Sequence, residues 1–143
     1  MKATPQMIRK RVVIVSLVIP IALLHFFTGS NYRGPYPGFV NGYLLDILVP
    51  FAFYFLLCLS EFSLLRSWIV KSILVFGAAS LVEIAQFFGV PLFGQTSDPV
   101  DLIMYGIGVI LAVVLDTTVF PRIFEFWTPK AGLCSHNTEV RGL

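Results

Sequence analysis

Long apolar runs separated by short polar stretches dominate the chain. Four runs approach the ~20 residues that a helix needs to cross a hydrocarbon core. They are Arg11 to Phe27, Tyr43 to Ser60, Trp68 to Leu92 and Pro99 to Phe120. None shows the strict alternation of a barrel strand. Inside a bilayer a helix satisfies every backbone N–H and C=O within its own segment. The pattern therefore predicts an all-α polytopic membrane protein. Residues 1–10 form a basic tail, 11–127 a transmembrane domain of four helices packed as a bundle, and 128–143 a polar tail.

Composition agrees. Hydrophobic residues make up 57% and charged residues 13% of the 143 positions, against about 25% charged in an ordinary soluble domain, and mean hydropathy is +0.84. A net charge of +2 gives no reason to expect nucleic acid. Cys58 falls in an apolar run and Cys134 in the polar tail, so two free thiols are expected rather than a disulfide.

Lys and Arg placement sets orientation. All of the 10 basic residues except Arg33 fall on one side if the chain crosses four times. Both termini are therefore expected in the cytoplasm. Tyr32, Tyr36, Phe39 and Tyr43 gather as an aromatic belt around the first, outer connection, with Trp68 and Trp127 at the inner side. The competing reading of the first run is a cleaved signal peptide ending at Thr28-Gly29-Ser30, but its apolar core is long for one.

In this orientation polar side chains collect toward the outer end: His25, Asp46, Glu83, Asp98 and Asp101, with Arg33 in the outer loop. Counting from Pro91 at about 1.5 Å per residue places Glu83 roughly 12 Å below the outer boundary. A carboxylate at that depth must face a partner or a wet cavity. Ala79, Ser80, Glu83, Gln86 and Phe87 share one stripe by helical spacing, and Asp101, Tyr105, Gly108 and Ala112 share another. Ala79, Ser80, Gly108 and Ala112 are small enough to admit a neighbouring helix closely. Tyr105 needs a hydrogen-bond partner when buried, and Glu83 and Gln86 are the candidates. Pro50 removes the bond that its N–H would give the Asp46 carbonyl.

Structural roles compete with this site. Asp98-Pro99-Val100-Asp101 is a good helix start. Asp46 can pair with Arg33, Glu83 with Gln86 can clamp two helices, and His25 suits an interface. Asp116, near the inner end, is expected to pair with Lys71 or Arg122.

Glu83-x-x-Gln86, then a polar loop, then Asp101-Leu102-Ile103-Met104-Tyr105-Gly106-Ile107-Gly108 resembles the VanZ-like family of small bacterial membrane proteins. The match is closest to an uncharacterised branch with a D-L-x-x-Y-x-x-G last helix. Tyr36-Pro37-Gly38-Phe39-Val40 and Tyr43-Leu44-Leu45-Asp46 resemble that branch as well. The resemblance implies a multi-pass protein of the bacterial inner membrane and cell envelope, with a role like the glycopeptide resistance linked to the founding member. One departure stands out: the family's loop Arg is absent from Phe87 to Val100, where Gln95 lies near its place, and Arg33 is the candidate substitute.

These observations lead to a protein that binds an envelope lipid headgroup or amphiphile through Glu83, Gln86, Asp101, Asp46, Tyr105 and Arg33. The alternative is a proton- or cation-coupled transporter subunit using Glu83, for which four helices call for a homodimer. An intramembrane enzyme comes third: there is no Ser–His pair, metal-spaced His cluster or Gly-rich phosphate loop. No cofactor or metal is expected, and membrane lipids are the expected partners.

Overall fold

The computed structural model describes residues 4–28, 32–88 and 99–127, with the side chains of His25, Phe27 and Thr28 left aside. Among the described residues there is no strand. Four long helices carry the fold: α1 Pro5–Thr28, and α2 Pro37–Leu57, α3 Trp68–Phe87 and α4 Pro99–Ile123. The last three are long and apolar enough to cross a membrane, which makes this an all-helical membrane protein. Asp98, Gln95, Cys134 and the tail 128–143 lie outside the described residues.

Two helices start earlier than the apolar pattern predicts, because hydrophobicity marks the part that meets lipid and not the helix itself. α1 begins at Pro5 rather than near residue 11. Thr4 is its cap: its Oγ1 accepts the Met7 N–H at 3.4 Å, and Pro5 follows at the first helical position, where its missing N–H costs nothing. Arg9, Lys10 and Arg11 are thus helical and not a loose tail. α2 begins at Pro37 rather than Tyr43 and passes through a wide π turn at Val40–Leu44. Ahead of it Tyr36 adopts a left-handed conformation. The Asn41 amide clasps the connection, donating to the Tyr32 carbonyl at 3.0 Å and accepting the Tyr32 N–H at 3.1 Å.

α2 is the central helix. It packs most extensively on α4 and also meets α1 and α3, while α4 meets α3. The outward surface is apolar: Val12, Ile19 and Leu23 on α1, Phe53 on α2, Ile73, Leu81 and Ile84 on α3, and Ile103 and Ile110 on α4 are all exposed. Water would penalise such a surface heavily, whereas lipid chains solvate it. Inside, Ile14, Tyr54, Phe55, Val75, Val109, Ala112, Phe120 and Trp127 form one core.

The closest approach between helices is at Gly108. A Cβ there would collide with the carbonyl of Ile47 on α2. Gly106 is different, since its Cβ would meet only the Phe76 ring, at 3.8 Å. Ala112, one turn on from Gly108, is fully buried. The small-residue stripe of α4 is therefore the face on which α2 lies.

Near the basic end, α2, α3 and α4 enclose a polar network. Lys71 is 4% exposed, and its ammonium donates to Asp116 Oδ2 at 2.6 Å. The same oxygen accepts the Tyr54 hydroxyl at 2.8 Å, and Trp127 Nε1 donates to Asp116 Oδ1 at 2.9 Å. Lys71 also reaches Cys58 Sγ at 3.0 Å and stands over the Tyr54 ring, 4.5 Å from its centroid. Cys58 is a free thiol. Lys71 is thus the partner of Asp116. Arg122, the other candidate, is exposed.

Trp127 is a correction to its expected role as a headgroup anchor: it is 3% exposed and belongs to the core. The local sequence explains why. α4 widens into a π turn at Leu115–Val119, in which the Phe120 N–H bonds the Leu115 carbonyl. In that register the next donor, to the Asp116 carbonyl, would be residue 121. That residue is Pro121, which has no N–H. The Trp127 indole supplies the missing donor, 3.1 Å from the Asp116 carbonyl oxygen. Lys10 of α1 covers the indole face at 4.7 Å, and Arg11 pairs with Glu61 at 3.1 Å across an exposed surface.

Two stability measurements check this architecture. Gly108→Ala should destabilise the protein by about 1–3 kcal/mol, the usual cost of overpacking, while Gly106→Ala should be neutral or slightly stabilising. Equal melting temperatures would contradict the assigned face. Lys71→Met should cost about 3–5 kcal/mol by stranding a buried carboxylate, and Lys71→Met combined with Asp116→Leu should recover much of that loss. Additive losses in a double-mutant cycle would show that the pair does not act as a unit.

Candidate functional site

The far end of α3 tells a different story. Residues facing inward on this helix recur every fourth position, with Lys71, Val75 and Glu83 buried. Glu83 lies near the other end of the helix from Lys71 and is buried there. Glu83 is 4% exposed, as deeply enclosed as Lys71. Unlike Lys71, it has no compensation: neither carboxylate oxygen has a hydrogen-bond partner among the described residues. Buried polar groups are nearly always bonded, because leaving one unpaired costs about 1–3 kcal/mol and more when it is charged.

α2 and α4 bring further acids to the same region. The charges of Asp101 and Glu83 both act on Asp46, and all three carboxylates act on the Tyr105 hydroxyl. Backbone contact at Gly108 is what makes this possible. It holds Ile47 against α4, so Asp46, its neighbour in α2, lies beside the helix that carries Asp101 and Tyr105. Pro50 is buried in the same helix, one turn from Asp46. Asp46, Asp101 and Tyr105 are all partly buried. Among the described residues no three of His, Cys, Asp and Glu lie close enough to hold a metal ion.

A cleft of about 180 Å³ opens between α3 and α4, lined by Glu83, Ile84, Phe87, Pro99 and Leu102. Its lining is apolar apart from Glu83. A larger open hollow of about 330 Å³ at the basic end is bordered by Gln6, Arg9 and Ile123 to Phe126. Every one of those lining residues is at least partly exposed, so it contains no enclosed group that lacks a partner.

The expected site residues divide accordingly. Glu83, Asp46, Asp101 and Tyr105 come together. Gln86 is partly buried one turn beyond Glu83, and Ala79 lies on the inward repeat. Ser80 returns its hydroxyl to its own helix, bonding the Phe76 carbonyl at 2.8 Å. Arg33 is exposed in the first connection and forms no ion pair with Asp46. It supplies no positive charge to the carboxylates. The side chain of His25 is outside what is described.

Two expectations need correction. Glu83 makes no hydrogen bond to Gln86 or to Tyr105, so it is not a clamp. Phe87 does not share the buried stripe. It is 77% exposed and lines the cleft, because α3 has nearly ended there and no helix among the described residues covers that side. Sequence reasoning missed Ile84 and Leu102 as cleft walls, and nothing distinguishes them from lipid-facing residues in an apolar run. It also missed Tyr54 and Cys58 around Lys71. Their one-turn spacing at the end of α2 is a signal that could have placed both beside Lys71.

Comparison with family models, curated proteins and solved structures gives no match. Fold and site define a helical membrane protein in which, among the described residues, one buried ionisable group, Lys71, is hydrogen-bonded and another, Glu83, is not.

Stability separates a functional from a structural Glu83. With no bond to lose, Glu83→Leu should raise the melting temperature in detergent, by an amount equivalent to about 1–3 kcal/mol, and Glu83→Gln should change it little. A clear fall for Glu83→Leu would mean that the carboxyl holds helices together.

Proposed function

We propose that the chain is a VanZ-like membrane protein of four spanning helices, with both termini in the cytoplasm. It holds the polar end of an envelope lipid or amphiphile at the outer end of the bundle. One observation carries this reading: Glu83, whose buried carboxyl has no hydrogen-bond partner among the described residues, lines an apolar cleft. An intramembrane ionisable group is costly, and a ligand that bonds it would supply the compensation the protein omits. The cleft has the mixed character of amphiphile sites, with apolar walls for a chain and few polar groups to orient the head. α1 supports the fourth span, since Ile14 is completely buried in the common core. The basic residues of α1 meet the residues that follow α2 and α4 at one end, which supports the inward orientation of that end. The same Glu83 would serve a proton- or cation-coupled transporter subunit, the second reading.

Topology is tested by labelling single cysteines in a background with Cys58 and Cys134 replaced. Arg33→Cys should react with an impermeant maleimide from the outer side, and Arg66→Cys only after the membrane is opened. The reverse pattern would overturn the orientation. The site is tested by placing a photo-crosslinking amino acid at Phe87 and, as a control on the open lipid face, at Ile110. The Phe87 position should capture a subset of envelope amphiphiles, and Glu83→Gln should abolish that enrichment. Identical bulk lipid at both positions would count against a binding site.

A further inference from the structure

The unpartnered Glu83 carboxyl and the size of its cleft narrow the kind of ligand, on the basis of the binding reading above. We infer that the ligand is a single-chain amphiphile whose polar end is a hydrogen-bond donor. An ionised carboxyl offers two oxygens that only accept, and a protonated one still offers acceptor positions. In either state the Glu83 carboxyl calls for a donor, and neither oxygen has one among the described residues. A fully methylated ammonium, an ether or an ionised phosphodiester brings no donor and would leave a buried acceptor unsatisfied, which is costly. A hydroxyl, an amide N–H or a primary ammonium brings one. The requirement is the same for a neutral and for a charged donor.

No hydrogen bond among the described residues fixes the carboxyl. Glu83 lines the cleft, and turning its carboxyl toward a guest there breaks none. The cleft sets the size of that guest. Its volume is about 180 Å³, roughly that of six water molecules at about 30 Å³ each. One small polar end and the start of one chain fit, whereas a glycerol phosphodiester with two chains does not. Glu83 lies four residues before Phe87, the last residue of α3. The polar end is therefore drawn about 6 Å, one helical turn, below the helix end. Ile84 and Phe87 are more than half exposed, and with Pro99 and Leu102 they give an apolar path for a chain that continues into the bilayer.

Native mass spectrometry of the full-length protein in an amine-oxide detergent, which carries no hydrogen-bond donor, tests this. Two single-chain probe pairs differ only in methylation of the polar end. They are decylammonium with decyltrimethylammonium, and N-decylacetamide with N-decyl-N-methylacetamide. A two-chain pair is phosphatidylethanolamine with phosphatidylcholine. The donor of a single-chain pair should be retained about tenfold better than its methylated partner, a difference of about 1.4 kcal/mol. A preference in the ammonium pair alone supports an amine as the source, and in the amide pair alone a neutral amphiphile. Glu83→Leu should remove the preference, and Ile84→Trp, at an exposed wall of the cleft, should lower retention of both single-chain donors. Equal or better retention of the methylated partners, lost in Glu83→Leu, would overturn the donor assignment and leave the binding reading in place. A preference that survives Glu83→Leu, or retention unaffected by Ile84→Trp, would overturn the placement in this cleft. An equal preference within the two-chain pair would overturn the single-chain assignment. No retention of any probe by the unmodified protein would overturn both this inference and the binding reading.

Discussion

The pair between Lys71 and Asp116 is the interaction on which the rest of the structure depends. Each charge alone would cost about 2.5–3.5 kcal/mol at the centre of a membrane helix. Together, with Tyr54, Cys58 and Trp127 filling the remaining hydrogen-bonding positions, they lock three helices at one end. The network fixes rotation as well as position. Lys71 can reach Asp116 only if its side of α3 turns inward, and Val75 and Glu83 are the other buried residues of that helix.

The contact at Gly108 acts on the other pair of helices. It sets α2 against α4 at backbone distance, and Asp46, Asp101 and Tyr105 gather around the end of α3 as a result. The protein thus treats two buried ionisable groups in opposite ways. At one end a carboxylate is surrounded by donors. At the other, the Glu83 carboxyl is enclosed and has no donor among the described residues.

Much of the fold was legible in the chain because the bilayer constrains it strongly. Run length identified α2, α3 and α4, and helical spacing picked out Gly108 and Ala112. Lys71 was one of two basic residues considered for Asp116. Other features depend on relations that spacing does not express. The true starts of α1 and α2 are set by Thr4-Pro5 and by Pro37, which lie outside the apolar runs. The burial of Trp127, eleven residues from the carbonyl that its indole satisfies, follows from a π turn combined with Pro121. At the site, helical spacing placed Glu83 and Gln86 on one face, which made a bond to Gln86 or Tyr105 the natural expectation. Whether an oxygen finds a donor depends on rotamers and helix separation, and those are properties of the packed structure alone.

The most direct test of the central claim is a density map of the full-length protein reconstituted in nanodiscs of native lipid. The account predicts an elongated feature in the cleft between α3 and α4, with its polar end within hydrogen-bonding distance of the Glu83 carboxyl and its chain along Ile84 and Leu102. A cleft closed by its own side chains, with Glu83 hydrogen-bonded to Gln86 or Tyr105, would contradict it.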